Sequence, residues 1–114
     1  MAEACLFCSI ANGEGHSEIL FRDQQCFVIR DINPKAPIHL LIIPLCHIGA
    51  LEGNHQFNEL LVGHLFKVAA SMAGLEGAVK YGYRLAINQG ENAGQTVRHL
   101  HVHLLGGRPL GPEA

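Results

Sequence analysis

The feature that most constrains this chain of 114 residues is a row of three histidines that alternate with two apolar residues, His99-Leu100-His101-Val102-His103. Successive side chains of a β-strand point to opposite faces. A strand over 99–105 therefore places three imidazoles on one face and buries Leu100 and Val102 in the other. Imidazole titrates near neutral pH, ligates metals and acts as a nucleophile. The row predicts either a metal site or a site where charge is transferred.

A polar segment with glycines precedes the row and favours a phosphate ligand. It runs Asn88-Gln89-Gly90-Glu91-Asn92-Ala93-Gly94-Gln95-Thr96-Val97. Glycine lets a backbone approach a ligand closely, and backbone N–H groups bind anions. Thr96 adds a hydroxyl. Without the neighbouring histidines, the same segment would indicate an ordinary polar turn.

Three segments of the chain resemble the histidine triad (HIT) superfamily. The run from Gln95 to Leu105 matches its His-x-His-x-His signature with the apolar positions that follow it. Its central segment is similar to two runs of this chain, Asp31-Ile32-Asn33-Pro34-Lys35-Ala36-Pro37-Ile38-His39 and Leu41-Ile42-Ile43-Pro44. Its penultimate strand is similar to residues 83–88. The ending Leu104-Leu105-Gly106-Gly107-Arg108-Pro109 most resembles the Hint branch, the purine nucleoside phosphoramidases.

The resemblance implies roles for four histidines. His101 becomes the nucleophile that forms a covalent nucleotidyl-imidazole, with its other ring nitrogen held by the backbone carbonyl of His99. His103 holds phosphate oxygens and stabilises charge in the transition state. His39 matches a fourth histidine that lies near the triad and supports it, although a histidine at a strand end can equally be a core residue. Zinc binding by the triad itself is the competing interpretation.

The resemblance also implies a nucleotide pocket. Asp31 matches an acidic residue that accepts hydrogen bonds from both ribose hydroxyls, and its alternative role is to cap the loop before Pro34. The phosphate side matches Asn88, Gly94, Gln95, Thr96 and Val97. An apolar lining for a purine matches Leu6, Phe7, Ile10, Ile29 and Ile32, all of which can also be plain core. Such a lining distinguishes adenine poorly from guanine.

Cys5 and Cys8 form a Cys-x-x-Cys motif, which alone is ambiguous between zinc binding and redox use. The βαβ setting of a thioredoxin-like motif is not predicted around it. As zinc ligands the two thiols need two partners, for which His47 and His99 are candidates. The resemblance supports this set, because bacterial relatives of the family place a zinc on equivalent positions. The alternative is a pair of reduced cysteines packed as small hydrophobic residues.

Composition predicts one soluble, cytoplasmic domain over residues 1–114. Hydrophobic residues make up 48% of the chain, enough for a small core, and the net charge of −2 gives no footprint for nucleic acid. We expect no membrane span and no signal peptide. Disulfides are not expected in this compartment for the four cysteines.

The apolar pattern predicts an α+β fold with a mainly antiparallel sheet. A short helix is predicted over 5–11 and a long helix over about 54–73, ending at Gly74. Strands are predicted over 18–22, 26–30, 39–44, 83–88 and 99–105. The resemblance implies the same HIT-like fold of five strands, and a homodimer whose two sheets align into one. Apolar residues in excess on the long helix favour that dimer.

The favoured function is hydrolysis of the P–N bond of purine nucleoside 5′-phosphoramidates, with structural zinc and with no cofactor required for catalysis. A dinucleoside polyphosphate hydrolase or nucleotidyl transferase of another HIT branch would use the same nucleophile. A nucleotide-binding or scaffold protein is the alternative outside enzymes.

Overall fold

In a computed structural model, which describes residues 5–15 and 17–112, five strands form one antiparallel sheet in the order β1-β2-β3-β5-β4. In chain order the elements are helix α1 (Leu6–Ala11), strands β1 (Ile19–Arg22), β2 (Cys26–Arg30) and β3 (Ile38–Pro44), helix α2 (Glu59–Leu75), strand β4 (Tyr83–Ala86), a 3-10 turn (Glu91–Ala93) and strand β5 (Val102–Gly106). The α+β fold with a five-stranded antiparallel sheet and one long helix that the sequence predicts is confirmed, and the homodimer stays a prediction.

Three predicted elements have bounds that are wrong by two residues or more. Strand β4 ends at Ala86 rather than at residue 88. The last strand begins at Val102 rather than at residue 99, because the chain bends at 97–99 to turn the His99 ring toward the N-terminal segment. The long helix runs from Glu59 to Leu75 rather than over 54–73. Asn58 caps it by accepting a hydrogen bond from the Leu61 N–H at 3.0 Å, a stronger start signal than the apolar spacing upstream.

Each face of the sheet packs against a different helix. Helix α2 covers one face, where the largest core cluster contains Leu40, Ile42, Leu65, Val102 and Leu104. The other face packs on α1 through Phe7, Ile10, Phe27, Ile29, Leu41 and Ile43. Because α1 has only six residues, it covers β2 and part of β3 and leaves the rest of this face open.

The strand register decides which residues occupy the open face. Leu41 of β3 pairs with His103 of β5, which pairs in turn with Ala86 of β4. Two residues further along these strands, His39 pairs with Leu105, and Leu105 pairs with Arg84. Directly paired residues share a face. The open part of this face therefore presents His39, His103 and Arg84.

Across the part of the chain that the structure describes, no helix combines the length and the apolar character needed to cross a bilayer.

Candidate active site

His101 and His103 lie side by side at the start of β5, with ring centroids 4.9 Å apart. The edge of the Phe7 ring contacts His101 at a centroid distance of 5.0 Å and the buried His99 ring at 5.8 Å. Phe7 therefore contacts the rings of both His99 and His101, and of the three histidines only His103 is within the strand. Helix α1 supplies the apolar wall against which the His101 ring is oriented.

A backbone hydrogen bond fixes the tautomer of His101. Its Nδ1 lies 2.7 Å from the carbonyl oxygen of His99. A carbonyl only accepts, so Nδ1 carries the proton and donates it. The lone pair of the neutral ring is then on Nε2, the nitrogen that an imidazole nucleophile needs. The bend at 97–99 places this carbonyl under the ring, so the interruption of the strand has a chemical consequence.

His39 and His103 form a second hydrogen-bonded pair with a defined direction. The Lys35 N–H donates to Nδ1 of His39 at 3.0 Å, so the proton of His39 is on Nε2. That Nε2 lies 2.9 Å from Nδ1 of His103, which must accept. The remaining proton of His103 is therefore on Nε2. Nδ2 of Asn88 lies 3.5 Å from that nitrogen but is itself a donor, so it does not accept this proton. A neutral His103 presents an N–H donor at this end of the open face.

Burial keeps His103 neutral. Desolvation, followed by the proximity of His101 and His39, lowers the pKa of His103 from 6.5 to about 4. Burial also lowers the pKa of His39, and the nearby Asp31 carboxylate only partly opposes that effect. Both imidazoles are therefore neutral at pH 7, in agreement with the donor and acceptor assignments.

The same geometry argues against a metal at this pair, although Asp31, His39 and His103 lie close enough together to suggest one. Two imidazole nitrogens that share a tetrahedral zinc at about 2.0–2.1 Å would be about 3.4 Å apart. The observed separation is 2.9 Å, the length of a hydrogen bond.

A cavity of about 590 Å³ opens above the histidines. Its predicted lining residues are Leu6, Phe7, Ile10, Ile29, Asp31, Ile32, His39, Asn88, Gly94, Thr96, Val97, His101 and His103. Two residues predicted for the site do not line it. The side-chain oxygen of Gln95 accepts the Gly90 N–H at 2.9 Å and so holds the loop together. The ring of His99 faces the cysteines, and its contact with the site is through its carbonyl.

Asp31 caps its loop and also lines the cavity. Its Oδ1 accepts the Asn33 N–H at 2.8 Å, which caps the loop. Its Oδ2 lies 3.4 Å from Nε2 of His39 and remains at the cavity wall. One carboxylate oxygen is therefore committed to the backbone, and the other faces the cavity.

The second group of candidate ligands converges on one point. Sγ of Cys5 lies 3.4 Å from Nδ1 of His99, and Sγ of Cys8 lies 3.3 Å from Nδ1 of His47 and 3.6 Å from Nδ1 of His99. All four atoms are within 4.8 Å of one another. In a tetrahedral zinc site with bonds of 2.3 Å to sulfur and about 2.05 Å to nitrogen, sulfur and nitrogen are about 3.6 Å apart. The donor set fits zinc.

The surroundings of these ligands prepare them for a cation. Nε2 of His99 lies 2.9 Å from the Pro44 carbonyl and donates to it, so the lone pair of Nδ1 faces the cysteines. In the metal-free protein, burial and the neighbouring Cys5 raise the pKa of the Cys8 thiol to about 11. A bound cation would reverse that preference and release the thiol proton. With four protein ligands the site keeps no open position, which is typical of structural zinc.

Further residues line the cavity without having been predicted: Ser17, Arg30, Asn33, Lys35, Leu41, Arg84, Ala86 and Leu105. The β-period could have found Leu41 and Leu105, since they stand two positions from His39 and His103. Arg84 and Ala86 belong to a strand whose place beside β5 depends on tertiary pairing. No local sequence signal indicates that neighbour.

Comparison with known proteins agrees with this geometry. The HIT domain family matches residues 12–110. The purine nucleoside phosphoramidase of Escherichia coli strain K12 is 44% identical over 112 residues, which cover 98% of this chain and 94% of that protein. A HIT family hydrolase from Clostridium thermocellum superposes with a TM-score of 0.90 at 44% identity, covering 98% and 97% of the two chains. A zinc-bound histidine triad family protein from Mycobacterium smegmatis superposes with a TM-score of 0.80 at 30% identity, covering 92% and 76%.

Proposed function

This chain belongs to the HIT domain family, and from that membership we propose that it hydrolyses the P–N bond of purine nucleoside 5′-phosphoramidates. It is a HIT-family hydrolase similar to a purine nucleoside phosphoramidase. The observation that carries the proposal is the hydrogen bond of 2.7 Å from Nδ1 of His101 to the His99 carbonyl. It leaves the lone pair of Nε2 free for attack beside the cavity.

The reaction proceeds in two displacements. Nε2 of His101 attacks phosphorus and forms an N–P bond, while the bond from phosphorus to the leaving nitrogen breaks. The electron pair of that bond leaves with the amine, which takes a proton from solvent. Water then attacks phosphorus, loses a proton and displaces His101. The products are a nucleoside 5′-monophosphate and a free amine.

His103 stabilises the charge that develops on the phosphoryl oxygens. Its Nε2–H faces the same cavity as His101, and the proton on that nitrogen is fixed by the contact between His103 and His39. A donor that is oriented before the reaction stabilises a transition state without the cost of reorganisation. His39 acts through His103 and is a positioning residue.

The nucleoside binds on the β2–β3 side of the cavity. The apolar side chains of Leu6, Phe7, Ile10, Ile29 and Ile32 form a slot for the purine ring, and Asp31 accepts hydrogen bonds from the ribose hydroxyls. Asn88, Gly94, Thr96 and Val97 line the phosphate side. Ile32 is 82% exposed, and covering it with a purine would remove apolar surface from water. Gln95 contributes indirectly, by holding the Gly90 backbone.

One zinc per chain binds Cys5, Cys8, His47 and His99. The match of the sulfur–nitrogen distances to tetrahedral geometry supports this, as does the zinc-bound relative. The zinc would tie the start of α1 to the segment that precedes β5. It has no role in the chemical step.

The protein forms a homodimer. Within the described part of the chain β4 pairs only with β5, so its other edge has backbone groups that a second copy can pair with. Exposed apolar side chains lie on or just before β4 at Tyr83 and Tyr81, and on α2 at Leu60 and Leu75. A twofold axis at this edge would join two sheets into one. Sedimentation at micromolar concentration should give twice the chain mass of 12.4 kDa, and a fully active monomer would contradict the dimer.

The deciding experiment compares adenosine 5′-monophosphoramidate with diadenosine triphosphate as substrates of the wild type and of His101→Ala. We expect faster turnover of the phosphoramidate and a loss of about a thousandfold or more in the variant, the scale seen when covalent nucleophiles are removed. AMP should still bind to His101→Ala. Preferred cleavage of diadenosine triphosphate would indicate the polyphosphate branch. Unchanged turnover in the variant would eliminate the histidine nucleophile.

A further inference from the structure

The cavity has a cationic end on β4 that the reaction described above does not use. Arg84 lines the cavity and pairs in register with Leu105, two residues beyond His103 on the same face of the sheet. Ala86, which lies two residues from Arg84 along β4, is the register partner of His103. Two residues along a strand span about 7 Å. Arg84 therefore lies within side-chain reach of the part of the cavity next to His103.

The order of the strands gives this end of the cavity a direction. The apolar slot lies over β2 and β3, where Ile29 and Leu41 face the cavity, and the catalytic histidines lie over β5. β4 is on the far side of β5 from the slot. A nucleoside in the slot with its phosphorus at His101 and His103 leaves the β4 side for the group that departs.

Three cations line the cavity, and Lys35 is held on the nucleoside side, where its Nζ donates to the Asn33 carbonyl at 3.0 Å. Arg30 forms a bidentate ion pair with Glu76, with distances of 2.7 and 3.1 Å. Arg84 donates through one nitrogen to the backbone carbonyl of Gly111 and forms no ion pair with any carboxylate in 5–15 or 17–112. Among the described residues, no other group accepts a hydrogen bond from its guanidinium. The neighbouring side chains of Ala86 and Leu105 are apolar, so they suit the carbon part of a leaving group.

We propose that Arg84 forms a subsite for the carboxylate of the leaving group, so that the preferred substrates are phosphoramidates of amino acids linked through their amine. This inference rests on the proposed phosphoramidase activity. A guanidinium matches the planar geometry of a carboxylate. The carboxylate carbon of an α-amino acid is two bonds from the scissile nitrogen. This short separation suits a cation such as Arg84, which lies two residues along β4 from the partner of His103. The Gly111 contact also places the C-terminal segment beside the subsite.

The test compares two substrates that differ in one charge, the adenosine 5′-phosphoramidates of glycine and of glycinamide. The readout is the ratio of their kcat/KM values, in which an effect common to both substrates cancels. We expect Arg84→Gln to lower the glycine-to-glycinamide ratio by about tenfold or more, the usual worth of a hydrogen bond to a charged group. Arg84→Lys, which keeps the charge, should retain part of the ratio.

Arg22→Gln is the matched control. Arg22 also donates to a backbone carbonyl, that of Ala11 at 2.7 Å, but it lies on β1 outside the cavity lining. The substrate ratio should not change in this variant. If Arg84→Gln lowers kcat/KM equally for both substrates, Arg84 only holds the C-terminal segment and the proposal is overturned. If it impairs diadenosine triphosphate cleavage more than cleavage of the glycine substrate, the subsite recognises phosphate instead.

A binding measurement separates this proposal from the phosphoramidase activity. If the wild type hydrolyses neither amide, the proposed activity fails. The two compounds can still be titrated against His101→Ala and His101→Ala/Arg84→Gln. The subsite predicts that the glycine compound alone loses about tenfold in affinity in the double variant. Equal affinities of the two proteins for that compound would overturn the subsite whatever the catalytic result.

Discussion

Nε2 of His39 lies 2.9 Å from Nδ1 of His103, and this contact determines which nitrogen of His103 faces the cavity. Because the Lys35 N–H occupies Nδ1 of His39, the proton between the two rings belongs to His39. The orientation of the N–H donor that we propose at His103 is thus set by the backbone at Lys35, in the loop that precedes β3.

Replacement of His39 should reduce turnover more than nucleotide binding. His39→Leu removes the donor to Nδ1 of His103, which frees that ring to adopt the opposite tautomer. We expect kcat to fall about ten- to a hundredfold, the scale of a misplaced hydrogen-bond donor, while KM changes little. His39→Gln keeps an N–H donor at the position and should recover part of kcat. Steady-state kinetics decide the matter. Equal kcat values in the two variants would show that the donor is irrelevant.

The pKa of His103 predicts how stability depends on pH. It is about 4 in the folded protein, against an ordinary value of 6.5. Between these values the unfolded chain binds more protons than the folded one, so the free energy of unfolding rises with pH over this range. The contribution of His103 is complete above pH 6.5 and is lost as the pH falls toward 4.

His103→Gln should flatten part of that rise. Urea unfolding of the wild type and the variant between pH 4 and 7 measures it, and NMR titration of the imidazole gives the midpoint directly. Burial also lowers the pKa values of His39 and His99, so the variant keeps some pH dependence. A midpoint of His103 near 6.5 would contradict the assignment of the neutral donor.

Loss of the zinc ligands should destabilise the protein without altering the chemistry at His101. We expect one zinc per chain in the wild type and none in Cys8→Ser, with a lower melting temperature, since a metal that binds only the folded state stabilises it. Cys46→Ser is the control, because Cys46 is also half-buried but lies outside the ligand cluster. Elemental analysis and thermal unfolding, each repeated after chelation, give the answer. Equal metal content in Cys8→Ser and Cys46→Ser would exclude this site.

Local patterns predicted the elements well and their contacts poorly. β2 occupies the predicted residues, and β3 and α1 differ from the prediction by one residue, because each is a short apolar run between clear turn signals. The prediction that Cys5 and Cys8 meet His47 came from a family resemblance. Spacing alone cannot bring together Cys8 and His47, which are 39 positions apart.

The contacts that sequence reasoning missed all depend on tertiary pairing. Nε2 of His64 on α2 donates to Asp23 at 2.6 Å and ties α2 to the β1–β2 turn. Burial opposes ionisation of Asp23, but hydrogen bonds from two turn N–H groups and from His64 keep the pKa of its carboxyl below the ordinary value. Arg84 reached the active site in the same way, through strand pairing.

Gly107 should be the glycine least tolerant of substitution in the turn that follows β5. Its φ is +92°, which L side chains rarely adopt, and an added Cβ would lie 2.9 Å from Cβ of Pro37. Pro37 cannot retreat easily, because it leads directly into β3. We expect Gly107→Ala to cost about 2–3 kcal/mol of unfolding free energy, from backbone strain together with overpacking.

Gly111→Ala separates the two causes. Gly111 also has a positive φ, +76°, but an added Cβ would meet no atom within 4 Å. Backbone strain alone costs about 1–2 kcal/mol, so Gly111→Ala should be the milder variant in urea unfolding at pH 7. Pro37→Ala would keep the clashing Cβ, and the Gly107→Ala/Pro37→Gly double variant removes it. That double variant should therefore cost less than the sum of its two single changes. Strict additivity would mean that the close approach of Gly107 to Pro37 does not limit this turn.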